Sequence, residues 1–157
     1  MRLRFGVPLI AAMIVTACAS GPPVPDWQGN AKSALDRGTE AYLAGNTRVA
    51  ELEFARARQE IGSTGKLDLM ARGELVRCAA QVASLVFEPC AGYERFKSDA
   101  AAPEGVYADY LAGRVGSQDV ALLPPQHRAV ASAGADGAAA ALRGIEDPLS
   151  RLVAAGV

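Results

Sequence analysis

The fold is decided by residues 31–62, which read AKSALDRGTEAYLAGNTRVAELEFARARQEIG. Small and apolar side chains recur there at steps of three and four, which is the period of an amphipathic helix. One set comprises Ala31, Ala34, Leu35, Gly38, Ala41 and Tyr42, and the other comprises Ala50, Phe54, Ala57 and Ile61. Gly45 lies between the sets and suits the left-handed end of a helix, while Asn46 or Thr47 can cap the next one. The stretch predicts an antiparallel helix hairpin whose first helix begins after Asn30.

Part of this stretch resembles the 34-residue tetratricopeptide repeat. The matching positions are Gly38, Gly45, Ala50, Phe54 and Ala57. The resemblance implies that small residues let the two helices approach closely, while the phenylalanine fills the gap between them. Two features depart from the repeat: Tyr42 lies one place beyond the usual aromatic position, and no proline follows near Gly62. The match ends near Ser63, so the resemblance implies a single degenerate, tetratricopeptide-like hairpin on which the rest of the chain packs.

Helical patterns continue along the rest of the chain. The longest covers residues 67–87 and stops before Pro89, since proline ends a helix. Glu53 and Glu74 fall on the polar faces of their helices, so we expect both carboxylates in solvent. Further helices are predicted at residues 91–99, from 103, at 126–132, at 136–143 and from 148. Aromatic residues make up only 6 % of the chain, which favours packed helices over a sheet. The prediction is a single all-α domain over residues 31–157, with six to seven helices and no sheet.

The N-terminal sequence around Val15-Thr16-Ala17-Cys18 has the layout of a secretory signal, because arginines and a short apolar run precede it. Its end resembles the lipobox of bacterial lipoproteins. The resemblance implies cleavage of residues 1–17, lipid on Cys18, and a flexible tether over residues 18–30, which are rich in proline and glycine. Ordinary cleavage without lipid and an uncleaved anchor are the alternatives. The apolar run is shorter than a membrane-spanning helix needs.

The expected location follows from the same resemblance. Ala19, rather than an aspartate, follows Cys18, which in similar lipoproteins goes with sorting to the outer membrane. We therefore expect a lipid-anchored protein on the periplasmic side of the outer membrane in a bacterial cell envelope. The net charge of −1 provides no basic surface to neutralise phosphates, so a nucleic-acid partner is not predicted.

Cys78 and Cys90 are the two cysteines that remain if Cys18 carries lipid. The envelope is an oxidising compartment, which favours a disulfide between them. A helix unbroken to Phe87 would hold the two residues too far apart, so the bridge requires the helix to end near Ser84 or the chain to fold back sharply. Free buried thiols are the alternative. No metal site is predicted, because two cysteines and one distant histidine make a poor zinc set.

Candidate contact residues are the four tyrosines, whose rings combine apolar area with a polar tip. They are Tyr42, Tyr93, Tyr107 and Tyr110, and packing in the core is the alternative for each. His127, the only histidine, is interpreted as exposed or simply packed rather than as a general base or ligand. No nucleophile motif accompanies it, so neither an enzyme, a cofactor nor a small-molecule substrate is predicted.

The predicted function is therefore that of a protein-interaction or assembly-accessory module of the bacterial envelope, bound to another envelope protein. In general plan the chain is similar to tetratricopeptide lipoproteins that assist pilus or outer-membrane protein assembly. A structural envelope lipoprotein without a specific partner is the alternative, followed by an enzyme with an unrecognised site.

Overall fold

A computed structural model describes residues 25–157, and the regular secondary structure of this part of the chain is entirely helical. The helices are α1 (Asp26–Leu43), α2 (Thr47–Gly62), α3 (Leu67–Ala83), α4 (Ala91–Glu94), α5 (Ala102–Leu111), α6 (Pro125–Ser132), α7 (Ala135–Arg143) and α8 (Pro148–Gly156), with a 3₁₀ turn at Val120–Leu122. The predicted all-α class is confirmed, with no strand among these residues. Their helices number eight rather than six to seven. The C-terminal third divides into short helices at its prolines and glycines, as its pattern predicts.

Helices α1 and α2 form the predicted antiparallel hairpin. Asn30 donates to Glu60 at 3.4 Å, and further along α1 Arg37 donates to Glu53 at 3.0 Å, so the two helices run in opposite directions. Gly45 has a φ of +76° between them, a conformation that favours glycine. The Asn46 side chain then caps α2 by accepting from the N–H of Val49 at 3.4 Å.

The start of α1 differs from the prediction. The helix begins at Asp26 with Pro25 as its N-cap residue, so residues 26–30 are helical and not part of a tether. Asp26 is an acidic residue in the first turn, where a carboxylate interacts favourably with the helix dipole. Asn30, after which the helix was predicted to begin, lies inside α1, and its side chain contacts Glu60. The predicted signal peptide, Cys18 and the other residues before Pro25 lie outside the described residues.

Helix α3 ends at Ala83, earlier than predicted. The N–H of Leu85 bonds to the carbonyl of Val82 and the N–H of Val86 bonds to that of Gln81, both at 2.9 Å. This is the pattern of a Schellman cap, with Leu85 in the left-handed region at φ +59°. The early end reverses the chain well before Pro89.

Helix α3 lies at the centre of the fold and packs against α1, α2, α4, α5 and α8. Its residues contribute to two apolar clusters. Ala79 joins Tyr110, Val120, Leu123 and Val153 in one, and Ala71 and Leu75 join Tyr93 in the other. Helix α3 therefore positions α4, α5 and α8, while α6 and α7 pack on α8 and on each other.

Two carboxylates expected in solvent are buried between helices. Glu53 receives hydrogen bonds from Arg37 at 3.0 Å and from Arg56 at 2.7 Å. Glu74 is 4 % exposed and accepts from Arg58 at 3.3 Å. The prediction was wrong for both, because an arginine on the neighbouring or same helix compensates each buried charge.

Candidate functional site: a groove beside helix α3

A groove of about 500 Å³ lies between α3, α5, α6, α8 and the segment that follows the 3₁₀ turn. We call it the α3 groove. Most of its lining is apolar and comes from Leu75, Val76, Ala79, Tyr107, Leu122 and Val153, with Arg72, Glu104, His127 and Arg128 as polar members. This size, with an apolar lining and a few polar groups, is typical of a ligand-binding site.

One side of the groove is a single face of α3. Arg72, Leu75, Val76 and Ala79 recur at helical spacing, so they point the same way. The other side includes Leu122 and an extended turn at Leu123 and Pro124. Pro124 and Pro125 prevent that turn from continuing as a helix until α6 begins. The groove therefore lies between one face of a regular helix and a short segment that its two prolines keep out of helical conformation.

Glu104 is the buried charged group of the α3 groove, with 6 % of the residue exposed. Its Oε1 accepts from the Nε of Arg72 at 2.7 Å, and the Nη2 of Arg72 contacts the same oxygen. Its second oxygen, Oε2, is buried and has no hydrogen-bond partner among residues 25–157. One oxygen of this carboxylate is therefore paired with Arg72, while the other is enclosed by protein atoms.

His127 lies beside the groove in a cluster of aromatic rings. Its Nδ1 and the hydroxyl of Tyr110 share a hydrogen bond of 3.4 Å, and its ring centroid lies 5.7 Å from that of Tyr107. Burial lowers the pKa of His127, and the Asp147 carboxylate opposes this in part. Burial also raises the pKa of Tyr110 to about 12 and raises that of Tyr107 further. The cluster is therefore uncharged at neutral pH.

The four tyrosines predicted as contact residues lie in different parts of the structure and differ in burial. Tyr107 is partly buried and lines the α3 groove. Tyr93 and Tyr110 are buried in the two apolar clusters, which is the core-packing alternative, so neither presents its ring to a partner. Tyr42 is half-buried near the end of α1 and lies outside the groove lining.

Cys78 and Cys90 form a disulfide, with their Cα atoms 5.8 Å apart. The early end of α3 at Ala83 makes this approach possible. The bridge lines a second groove of about 630 Å³ that carries charges of both signs. Its cations are already paired, Lys97 with Glu94 at 3.6 Å and Arg114 with Asp109 at 3.1 Å. The α3 groove is the better candidate site, because its lining is mostly apolar with a few polar groups, which is typical of ligand-binding sites.

Sequence reasoning missed Arg72 and Glu104. They are separated by 32 residues and pair only through the packing of α3 on α5. Glu104 follows Pro103 in the first turn of α5, a position that is equally typical of a solvated acidic residue. No local pattern distinguishes a buried, paired glutamate from a solvated one at this position. The pair of Arg72 and Glu104 could therefore not have been identified from the sequence alone.

Neither a metal centre nor a membrane-spanning helix is found in the part of the chain that the structure describes. Across residues 25–157, no group of three or more histidine, cysteine or acidic side chains is arranged to hold a metal ion. None of the helices in that range is both long and apolar enough to cross a bilayer. Comparisons of the chain with protein-family models, curated proteins and solved structures found no match.

Proposed function

We propose that this protein is a lipid-anchored, periplasm-facing interaction module of the bacterial cell envelope, which binds an apolar segment of another envelope protein in the α3 groove. The observation that carries the proposal is the groove itself, an apolar cleft of about 500 Å³. Its few polar groups include Arg128 and the ion pair of Arg72 with Glu104. Apolar clefts with few polar groups bind ligands by burial and orient them by those groups.

The burial of His127 among aromatic rings favours a binding function over a catalytic one. The residue is 2 % exposed and contacts Tyr107 and Tyr110. A general base must come within hydrogen-bond reach of the proton that it removes. A substrate in the groove would meet the edge of this aromatic cluster rather than a free imidazole.

The proposed anchor rests on the resemblance of Val15-Thr16-Ala17-Cys18 to a lipobox. Because α1 begins at Asp26, only residues 18–25 would separate the lipid from the domain. At about 3.5 Å per residue such a tether spans at most roughly 30 Å. The module would therefore act close to the membrane surface, on partners that are themselves in or near the membrane.

The proposed kinship with tetratricopeptide hairpins is supported by the close packing of Gly38 on Phe54. A Cβ atom built at Gly38 would lie 2.9 Å from the Phe54 ring, so a small residue is needed at this helix crossing. Such hairpins serve as rigid scaffolds, and here α3 and the later helices pack on the hairpin and form the groove.

The partner hypothesis is tested by photo-crosslinking in intact cells from two exposed leucines. Leu122 is 43 % exposed and lines the α3 groove, whereas Leu52 is 58 % exposed on α2 and lies outside it. We expect a photoreactive amino acid at position 122 to yield one discrete adduct with an envelope protein, absent from position 52. Equal adduct patterns from both positions, or none from position 122, would overturn the proposal.

The anchor is tested separately by the intact mass of the isolated protein. We expect the wild-type chain to lack residues 1–17 and to carry added acyl mass. The Cys18→Ser variant should lack that mass and leave the membrane fraction. An isolated wild-type product that retains residues 1–17 would contradict lipid anchoring without affecting the groove.

A further inference from the structure

Helix α6 forms part of one wall of the α3 groove and has little packing of its own. It packs mainly against the 3₁₀ turn, α7 and α8, and His127 is the one buried residue among the eight that form it. None of the side chains that the structure describes in α7 is buried. Helices α6 and α7 are therefore the part of the domain that can move with the smallest loss of buried apolar area.

Open space lies on two sides of α6. His127 lines the α3 groove, whereas Ala129 lines a second cleft, of about 690 Å³, between α6 and the segment that joins α7 to α8. Residues two positions apart on an α-helix point in nearly opposite directions, so the two clefts lie on opposite faces of α6. The second cleft leaves α6 room to move away from α5, and such a movement widens the α3 groove.

The chain is held firmly on either side of these two helices. Leu123 before α6 and Ile145 after α7 are both buried. Arg151 of α8 also donates to the carbonyl of Ile145 at 2.8 Å. Residues 124–144 therefore form a lid between two buried attachment points, and we call this segment the α6–α7 lid.

His127 holds the lid against α5. Its ring centroid lies 5.0 Å from that of Tyr110 and 5.7 Å from that of Tyr107, and its Nδ1 shares a 3.4 Å hydrogen bond with the Tyr110 hydroxyl. An imidazolium needs water, which this buried position excludes, and burial accordingly lowers the pKa of His127 from 6.5. In an open lid the ring reaches water and binds a proton near its ordinary pKa.

The groups around His127 leave it as the side chain that changes charge between pH 5.5 and 7.5. Tyr107 and Tyr110 face it from α5, and burial raises the pKa of both, so they stay uncharged. Asp147, at the start of α8, raises the pKa of His127 and offsets part of the effect of burial. The other charged residues of the groove and of the helices next to α6 contribute no shift to that pKa: Arg72, Glu104, Arg128, Asp136, Arg143 and Arg151.

We propose that the α6–α7 lid is an acid-sensitive gate on the α3 groove, which protonation of His127 opens. At neutral pH the uncharged ring packs on Tyr107 and Tyr110 and keeps the groove narrow. Because the open form binds the proton more tightly than the closed form, the open population rises by up to about tenfold between pH 7.5 and 5.5. Resting on the proposed function, the gate makes binding of the partner depend on pH.

The gate is tested by methyl NMR of the full chain in lipid nanodiscs, with a water-soluble gadolinium chelate that broadens the signals of exposed methyl groups. Val153, which lines the α3 groove and is 2 % exposed, reports on the lid. Ile61 in α2, which is 6 % exposed, reports on the rest of the domain. We expect the broadening of Val153 to increase by up to about tenfold from pH 7.5 to 5.5, while that of Ile61 changes little.

Two variants at position 127 provide matched controls, because neither side chain can be protonated in this range. His127→Phe keeps an aromatic ring against Tyr107 and Tyr110, and His127→Gln keeps a polar group within reach of the Tyr110 hydroxyl. In both variants the broadening of Val153 should be independent of pH. A variant that opens the groove at every pH still serves as a control, since only the dependence on pH is compared.

Three results would overturn the gate. The first is broadening of Val153 that stays constant between pH 7.5 and 5.5 in the wild-type chain. The second is a parallel increase at Ile61, which would show that acid loosens the whole domain. The third is a pH dependence that persists in both variants, which would assign the opening to other groups. No partner enters these measurements, so the crosslink from position 122 at neutral pH tests the proposed function independently.

Discussion

Tyr110 and His127 share a buried hydrogen bond of 3.4 Å, with their ring centroids 5.0 Å apart. Neither ring is solvated, since each residue is at most 2 % exposed. The contact joins α5 to α6 and holds the polar edge of the imidazole inside an apolar cluster. It also links protonation of one side chain to the stability of the whole domain.

We predict that the domain loses stability as the pH falls below 6.5. Burial lowers the pKa of His127 from its usual 6.5, so the unfolded chain binds a proton more readily than the native chain does. The free energy of unfolding then falls with decreasing pH between 6.5 and the native pKa, by at most about 1.4 kcal/mol per pH unit for one proton. Urea denaturation between pH 7.5 and 5.5 measures this slope.

The matched variant for this prediction is His127→Gln, which removes the titrating group. Its free energy of unfolding should be nearly independent of pH over the same range. Asp147 does not interfere, because its pKa is lowered from 3.8 and its effect on stability appears only below that value. An equal slope in the variant and the wild type would show that other groups cause the pH dependence.

A second prediction compares two glycines of α1. Gly38→Ala introduces a Cβ atom 2.9 Å from the buried Phe54 ring, whereas Gly29→Ala meets nothing within 4 Å. We expect the first to destabilise by about 1–2 kcal/mol and the second to stabilise by about 0.5–1 kcal/mol, because alanine favours the helix. Thermal and urea denaturation of both variants measure the difference, and equal effects would contradict close packing at Gly38.

The sequence predicts those features that depend only on residues close together in the chain, such as helix caps. Asn46 caps α2, and Asp147 caps α8 by accepting from the N–H of Ser150 at 2.7 Å. The candidate site could not be predicted in the same way. The burial of Glu104 and Glu74 depends on arginines that distant parts of the chain bring to them, and a helical period cannot distinguish a paired buried carboxylate from a solvated one.

A third prediction concerns Leu85, which has a φ of +59° at the end of α3. Its side chain and that of Phe87 are each 67 % exposed, so removing either side chain loses little packing. Leu85→Gly should stabilise by about 0.5–1 kcal/mol, because glycine adopts this backbone conformation without strain. Phe87→Gly, whose φ is not positive, should destabilise by a similar amount through chain entropy. Urea midpoints that move in the same direction would contradict strain at Leu85.

The final prediction is that the Cys78–Cys90 bridge contributes about 3 kcal/mol to the free energy of unfolding, as expected for closing a loop of this length. Dithiothreitol should lower the urea midpoint of the wild-type chain by the corresponding amount. The double variant Cys78→Ala/Cys90→Ala should match the reduced wild type and be insensitive to the reductant. The contrary result would be that the oxidised wild type and the double variant unfold at the same urea concentration. In that case the Leu85 cap alone maintains the early end of α3. The bridge would then form because this turn brings the two cysteines together, and it would not stabilise the turn.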